Sequence, residues 1–347
     1  MGYFEERARK TLLGTEFTTA PAFPANSLVE LTNGCNHACV FCKNSNQKRR
    51  ATNLDMGIYK TFIEQASRLG LKEVGLYATG EPFMTKNLHE YVRIAKSNGI
   101  RRVYITTNGA LAKVDAVKKC VDAGLDSIKF SINAANREDY KYVHGYDDFQ
   151  TVLKNLDEIY SWKNAENVDL QLLCSCVIIP AFPHTKEKHF QIFEKYFEDI
   201  AYIEAASQGG QSFEIPMSEN ELSKIFTEKG VVEDEDLSPC SMVFNRYHLT
   251  AEGYLTACCV DYDLNLVFAD LNEENLESAW LNKYITELRE KHIARKLDGT
   301  ICHQCLKNKK LPFEPLRKVA SKDFKNEDFV KRQEKLLERI SEQSKAT

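Results

Sequence analysis

The chain has 347 residues, 43% of them hydrophobic and 28% charged, an ordinary globular composition that excludes wholesale disorder and fibrous repeats. Forty-six Lys and Arg against fifty Asp and Glu leave a formal charge of -4, so composition makes no electrostatic case for nucleic acid. No stretch approaches the ~18 apolar residues of a membrane span, and the charged N-terminus lacks an apolar signal region, so the expected location is the cytoplasm.

Residues 1–26 read as an N-terminal extension, too short for a domain of its own. Over 27–206, short apolar runs alternate with longer amphipathic ones, the pattern of β-α units building a parallel sheet. The strand candidates are SLVELT, EVGLYAT, RVYITTN, DSIKFSIN, VDLQLLCSCVII and IAYIEA. Helical stretches such as MGIYKTFIEQASRLG and LHEYVRIAKSNG lie between them, closed by Gly70 and Gly99. Six repeats predict an α/β fold, a partial (β/α)6 TIM-like barrel open on one side, because a full barrel needs eight strands. Residues 207–239, rich in Gly, Ser and Glu, read as a linker or active-site loop with its tightest turn at Gly209-Gly210. Residues 240–317 hold hairpin-like segments and clustered cysteines, too small a unit to build a core without a metal. Residues 318–347 read as a charged helix with a solvated face.

Eleven cysteines, clustered and odd in number, point to metal or redox chemistry in a reducing compartment. Cys35, Cys39 and Cys42 form C-x3-C-x2-C just after the first strand, at the end of the barrel where barrel chemistry sits. Three thiolates without a fourth ligand at zinc spacing would leave one iron of a 4Fe-4S cube open; a zinc site using His37 would need an unusually tight turn. A second set comprises Cys240, Cys258, Cys302 and Cys305, with Gly253 placed as G-x4-C before Cys258. Cys302-x2-Cys305 alone could be half of a zinc ribbon, so a non-catalytic zinc-binding interaction module is the alternative from another class.

With Phe41 before its last cysteine, the first motif resembles the signature of the radical S-adenosylmethionine (SAM) enzymes. The resemblance implies that the unique iron binds the amino and carboxylate groups of SAM, and that one electron cleaves SAM to a 5'-deoxyadenosyl radical, which abstracts a substrate hydrogen. Thr79-Gly80-Glu81-Pro82 is similar to the Gly-Gly-Glu-Pro motif that grips the SAM amino group, with Thr79 departing from the first Gly. Thr107 and Asn108 at the third strand end, and Ser131 and Asn133 at the fourth, stand where the family directs polar groups to SAM; Ile178 would offer backbone to adenine. The C-x12-G-x4-C spacing resembles the entry hairpin of the SPASM and twitch extensions, which hold auxiliary 4Fe-4S clusters. No cysteine follows Cys305, so one auxiliary cluster of the twitch type is implied, with Cys259 as the alternate to Cys258.

Cys120 reads as a small core residue on a helix. Cys174 and Cys176 share one strand face and read first as core residues; should that face point into the barrel they are, with Cys259, the candidates for a thiol that returns hydrogen to a substrate radical. Tyr140, His144 and Tyr146 read either as substrate contacts or as an exposed helix end, and Gln208 and Gln211 lie where substrate could sit. The resemblance implies an oxidoreductase acting on a small polar metabolite, a sugar or aminosugar, by dehydrogenation or epimerisation. Its partners would be that small molecule and an electron donor such as flavodoxin or ferredoxin, with no nucleic acid and no membrane. The alternative is a maturase of a ribosomally made peptide, forming thioether or carbon-carbon crosslinks; the short N-terminal extension argues against it. The molybdopterin-precursor cyclase, another two-cluster relative, is set aside because its C-terminal three-cysteine spacing and Gly-Gly end are absent.

Overall fold

The computed structural model describes residues 2–214, 217–227 and 230–319. In chain order these form α1 (Tyr3–Leu13), β1 (Asn26–Val29), α2 (Met56–Arg68), β2 (Glu73–Gly75), α3 (Leu88–Ser97), β3 (Arg102–Thr107), α4 (Val114–Asp122), β4 (Ser127–Ser131), α5 (Arg137–His144), α6 (Phe149–Ala165), β5 (Gln171–Ile178), α7 (Thr185–Phe193) and β6 (Asp199–Glu204). There follow α8 (Glu219–Ile225), α9 (Met242–Asn245), β7 (His248–Leu249), β8 (Tyr254–Thr256), β9 (Val267–Asp270), α10 (Leu276–Trp280), α11 (Lys283–Ile293) and α12 (Ile301–Lys307). Most of the charged C-terminal segment, with its expected helix, lies outside the described residues. Among the described residues, no helix is long and apolar enough to cross a membrane.

The sheet runs β6-β5-β4-β3-β2-β1-β7-β8-β9, parallel from β6 through β1 to β7. It is a partial barrel, as the six repeats predict. The helices form for local reasons: Asp55 accepts from Gly57 N (2.8 Å) and Ile58 N (3.1 Å) at the start of α2, whose Tyr59, Phe62, Ile63 and Ala66 bury one stripe against the sheet. Gly70 and Gly99 sit at φ +104° and +80°, the left-handed backbone that ends α2 and α3. Along β3 burial alternates: Val103, Ile105 and Thr107 are buried, while Arg102, Tyr104 and Thr106 are half-buried on the concave side. Val103 and Ile105 join the core with α3 and α4, and Cys120 lies in that core as expected.

Two relationships lie beyond the sequence pattern. The cysteine-rich hairpin is joined to the barrel rather than set apart from it: β7 pairs in parallel with β1, Leu28 beside His248 and Val29 beside Leu249. The pairing covers the edge that β1 would otherwise expose. The N-terminal extension is also tied down. Arg7 binds Glu73 at 2.5 Å and the Phe4 amide donates to Asp199 at 2.9 Å, so α1 crosses the N-terminal ends of the strands. A cavity of about 560 Å³ lies there between α1 and the first residues of β1, β2 and β3, at the opposite end from the cysteine loop.

Candidate active site

The first cysteine loop follows β1 and is pinned from two sides. Ala38 N donates to His144 O (3.1 Å) and Val40 N to Val143 O (3.0 Å), tying it to α5, while Cys42 N donates to Cys39 O (2.9 Å). Phe41 is buried with Val143, Ile179, Ala205 and Ile225, so the aromatic in the motif anchors the loop across the barrel mouth. Cys35, Cys39 and Cys42 lie within electrostatic reach of one another, and burial pushes each thiol up. Three converging soft donors fit an iron-sulfur cube, which would hold them as thiolates. Asn108 Nδ2 donates to Asn36 Oδ1 at 2.8 Å and lies 3.9 Å from Cys35 Sγ.

The Thr79-Gly80-Glu81-Pro82 turn meets this loop back to back. A Cβ on Gly80 would lie 2.2 Å from Thr32 O and 2.5 Å from Gly34 O, so only glycine fits. Thr79, where the family has glycine, hydrogen-bonds Glu30 through its hydroxyl, and its carbonyl accepts from Asn44 Nδ2 at 2.8 Å. Glu81 is buried, and its carboxylate accepts from Thr107 Oγ1 (2.8 Å), Asn108 N (2.8 Å) and Phe83 N (3.1 Å). It therefore ties the tips of β2 and β3 together as well as facing the mouth, a second duty the motif alone does not show. Asn133 is held through its amide by His144 Nε2 (3.2 Å), and its Oδ1 accepts from Val177 N (2.8 Å). Its Nδ2 lies 3.3 Å from Ser131 Oγ. Ile178 closes β5 beside Glu204, with its carbonyl accepting from Ala205 N.

Tyr140 and His144 are fully buried, not an exposed helix end, and their rings stack at 3.9 Å behind the cysteine loop. Each histidine there has protein partners. His37 Nε2 faces Asp148 (3.1 Å), His37 Nδ1 faces His144 Nδ1 (3.3 Å), and His144 Nε2 accepts from Asn133 N. One set of tautomers satisfies the whole chain, with His37 donating to Asp148 and His144 donating to His37. The same two rings and Cys39 place their ligand atoms within 4.8 Å of one another, but with these partners the rings buttress the loop.

The second cysteine set converges as the spacing implies. Gly253, at φ +90°, turns the β7–β8 hairpin and delivers Cys258 and Cys259. Asp261 fixes the following loop, accepting from Asn265 N (2.7 Å), Leu266 N (2.8 Å) and Thr256 Oγ1 (2.7 Å). Thr300 caps α12, which places Cys302 and Cys305 three residues apart on one helix face. The Cys240 amide donates to His292 Nδ1 (3.3 Å), and Ser207 Oγ lies 3.9 Å from Cys305 Sγ. Cys258 lies within reach of Cys240, and Cys302 of Cys240 and Cys305. Four thiols so arranged suit one auxiliary cube. Cys259 is within reach of Cys240 too, and in addition of Arg246 and Lys129. The S–H of Cys258 donating to it, helped by those two cations, holds its thiol down to about 7 against burial, while Cys258 is pushed up.

Cys174 and Cys176 correct an expectation. They do share a face, but strand register places that face toward the helical layer. Cys174 Sγ is 4.0 Å from His189 of α7, and Cys176 pairs with Tyr202, whose hydroxyl also reaches His189 (3.3 Å). Neither thiol reaches the barrel interior. Tyr262 is the residue that pattern reasoning misses: its hydroxyl lies 3.3 Å from Cys42 Sγ and donates to Gln208 Oε1 at 2.7 Å, beside the second set. Gln211 holds the same loop through Val260 O, and Gly210 packs against Cys305 N, where a Cβ would approach to 3.1 Å.

Comparison with known proteins agrees with this geometry. The radical SAM superfamily model matches residues 29–192, and the SPASM iron-sulfur cluster-binding domain model matches 240–306. A GTP 3',8-cyclase of Chlorobaculum tepidum is 31% identical over 168 residues, covering 46% of this chain and 49% of its own length. A probable GTP 3',8-cyclase of Methanocaldococcus jannaschii is 27% identical over 281 residues, covering 72% of this chain and 90% of the relative. The chain spans about half the length of the first of these. Among solved structures, Streptococcus suis SuiB bound to the precursor peptide SuiA superposes with TM-score 0.61 at 14% identity, over 88% of this chain and 75% of that one. BtrN in complex with AdoMet and 2-DOIA superposes with TM-score 0.52 at 19% identity, over 82% and 92%. These identities speak for the fold alone, and the domain matches for SAM and iron-sulfur clusters as the cofactors. The chain belongs to the radical SAM superfamily and carries a C-terminal SPASM-type iron-sulfur cluster-binding domain.

Proposed function

We propose that this is a cytoplasmic radical SAM oxidoreductase that removes a hydrogen atom from a carbon of a small polar metabolite of the sugar or aminosugar class. The observation that carries this reading is the segment from Cys258 to Tyr262, which lies between the two thiol sets: Tyr262 touches Cys42, and Cys258 neighbours Cys240. A substrate seated there would be close to both clusters. SAM bound at Cys35, Cys39 and Cys42 supplies a 5'-deoxyadenosyl radical once a one-electron donor such as flavodoxin or ferredoxin reduces the cluster. Glu81 would accept the SAM ammonium, and Asn108 and Asn133 would orient the rest of the molecule. Cys240, Cys258, Cys302 and Cys305 would hold a single auxiliary cluster able to take an electron, which makes dehydrogenation the first outcome. Hydrogen return from Cys259 would make it epimerisation.

A second reading, cyclisation of a nucleotide through its ribose, is favoured by the M. jannaschii relative, whose likeness spans 90% of its length and whose name specifies GTP. The absent three-cysteine spacing stands against it.

Anaerobic reconstitution followed by a 5'-deoxyadenosine assay tests the proposal. We expect about eight irons per chain, two cubes. Release should be stimulated by extract fractions rich in sugars and sugar nucleotides. Replacing Cys35, Cys39 and Cys42 together with Ala should remove half the iron and all cleavage. Stimulation by a peptide fraction alone would overturn the substrate class, and unchanged cleavage in the triple variant would overturn the chemistry.

A further inference from the structure

The inner wall of the barrel below the cysteine loop carries three basic side chains, Lys129, Arg246 and His248. Strand register identifies the inward face: Leu28 pairs with Gly75 and His248, Gly75 with Tyr104, and Tyr104 with Ser127, two residues before Lys129. Gly75 confirms it, because a Cβ there would lie 2.5 Å from Leu28 Cδ2 and 2.7 Å from the Tyr104 ring. Tyr77 and Tyr104 face each other at 6.0 Å, and Lys129 Nζ stands 5.8 Å from the Tyr77 ring centre. On the facing wall, Arg246 and His248 alternate onto the same side as β7 begins.

Two of the three basic side chains hold buried polar atoms that the protein leaves open. Among the described residues, neither Lys129 nor Arg246 has a carboxylate partner, whereas Arg7, one layer lower, is paired with Glu73. Arg246 Nε is buried without an acceptor. His248 is 1% exposed, and both its ring nitrogens lack a hydrogen-bond partner. A buried donor left open is costly unless something else completes it. Any ligand oxygen could complete those donors, and an anionic one would in addition answer the basic charge.

We propose that this inner wall binds an anionic group of the substrate, a phosphate or a carboxylate, held by Lys129 and Arg246 with His248 as an additional hydrogen-bonding partner. The proposal rests on the reading that substrate lies between the two cysteine sets, and it adds a charge to the metabolite sought. Arg246 also lines the cavity beside α1, so such an anchor would sit toward the lower end of the barrel, within reach of Cys259.

Isothermal titration of the reconstituted, SAM-loaded enzyme with inorganic phosphate, and separately with acetate, tests this. One of the two should bind at one site per chain, phosphate affinity marking a phosphoester substrate and acetate affinity a carboxylic acid. Lys129→Met and Arg246→Gln should each weaken that binding at least about tenfold, while Lys129→Arg should retain it and exposed Lys118→Met should leave it unchanged. Absence of binding of either anion to the wild-type protein overturns the proposal, whatever the variants do. Equal affinity in Lys129→Met with intact iron content also overturns it. The substrate class fails separately: if only peptides stimulate 5'-deoxyadenosine release while Lys129→Met abolishes anion binding, the sugar reading falls and the anion site stands. If neutral sugars stimulate release and no anion binds, the reverse holds.

Discussion

Tyr262 places its hydroxyl 3.3 Å from Cys42 Sγ, joining a cysteine of the first loop to a residue 220 positions away in the C-terminal domain. With Cys42 as a thiolate ligand, the single O–H has two acceptors, Cys42 Sγ and Gln208 Oε1. A hydrogen bond to a ligand sulfur stabilises the more negative, reduced cluster. Tyr262→Phe should therefore keep full iron content while shifting the first cluster to a more negative midpoint in an EPR-monitored titration. SAM cleavage should slow by about tenfold, in keeping with a charge-assisted hydrogen bond. An unchanged midpoint would mean that the O–H stays directed at Gln208 Oε1, as in this structure, and not at Cys42.

Arg49 docks the C-terminal hairpin to the barrel. Its guanidinium is buried between Glu252 of the hairpin (2.9 and 2.6 Å) and Glu30 beyond β1, and Glu30 also accepts from Ala251 N (2.9 Å) and from Thr79. Arg49→Met leaves two buried carboxylates without a counter-ion, which should cost about 3–5 kcal/mol. Urea unfolding of the apo protein would measure it, and a loss below about 1 kcal/mol would mean that the hairpin is held by its strand pairing instead.

Much of this site is legible in the sequence because its residues act through local spacing. Cys35, Cys39 and Cys42 belong to one loop, Gly80 to one turn, and Cys302 and Cys305 to one helix face, so periodicity and turn chemistry are enough to find them. Glu30, Arg49 and Glu252 belong to no local motif; only the parallel pairing of β1 with β7 brings them together. Cys174 and Cys176 fail for a related reason. Period two shows that they share a face, but which face is inward depends on register against β4 and β6, which a single strand does not carry. His144 was readable as an exposed helix end because its partners His37 and Asn133 lie in two other loops.

Burial pushes the Glu81 carboxyl from 4.5 up to about 7, against the pull of its hydrogen bonds from Asn108, Phe83 and Thr107. The folded protein thus holds this proton more tightly than the unfolded chain does. The associated stability is complete below pH ~4.5 and is lost as pH rises through ~7, on the order of 3 kcal/mol at most. Subtracting the unfolding free energies of Glu81→Gln from those of the wild type across pH 4.5 to 8 should reveal that slope. SAM binding should run the other way: a deprotonated Glu81 attracts the ammonium, so wild-type affinity should rise through pH 7 and that of Glu81→Gln should stay nearly flat. A flat wild-type profile would show that Glu81 serves only to tie β2 to β3.

Cys258 and Cys259 are adjacent in sequence but lie in different electrostatic surroundings. Both lie within reach of Cys240, but Cys259 also lies within reach of Arg246 and Lys129, and the Cys258 hydrogen bond with those two cations holds its thiol down to about 7. A cluster ligand belongs with the other thiols, and an exchangeable hydrogen donor belongs where substrate is expected. Cys258→Ser should therefore lose about four of the eight irons, while Cys259→Ser should keep all of them and still release 5'-deoxyadenosine. In deuterated water a thiol donor carries solvent label to the product carbon. Label in the wild-type product that disappears in Cys259→Ser identifies epimerisation through this thiol, and unlabelled product from both identifies oxidation through the auxiliary cluster. If Cys259→Ser instead loses iron as Cys258→Ser does, the ligand assignment is reversed and Cys259 cannot be the donor.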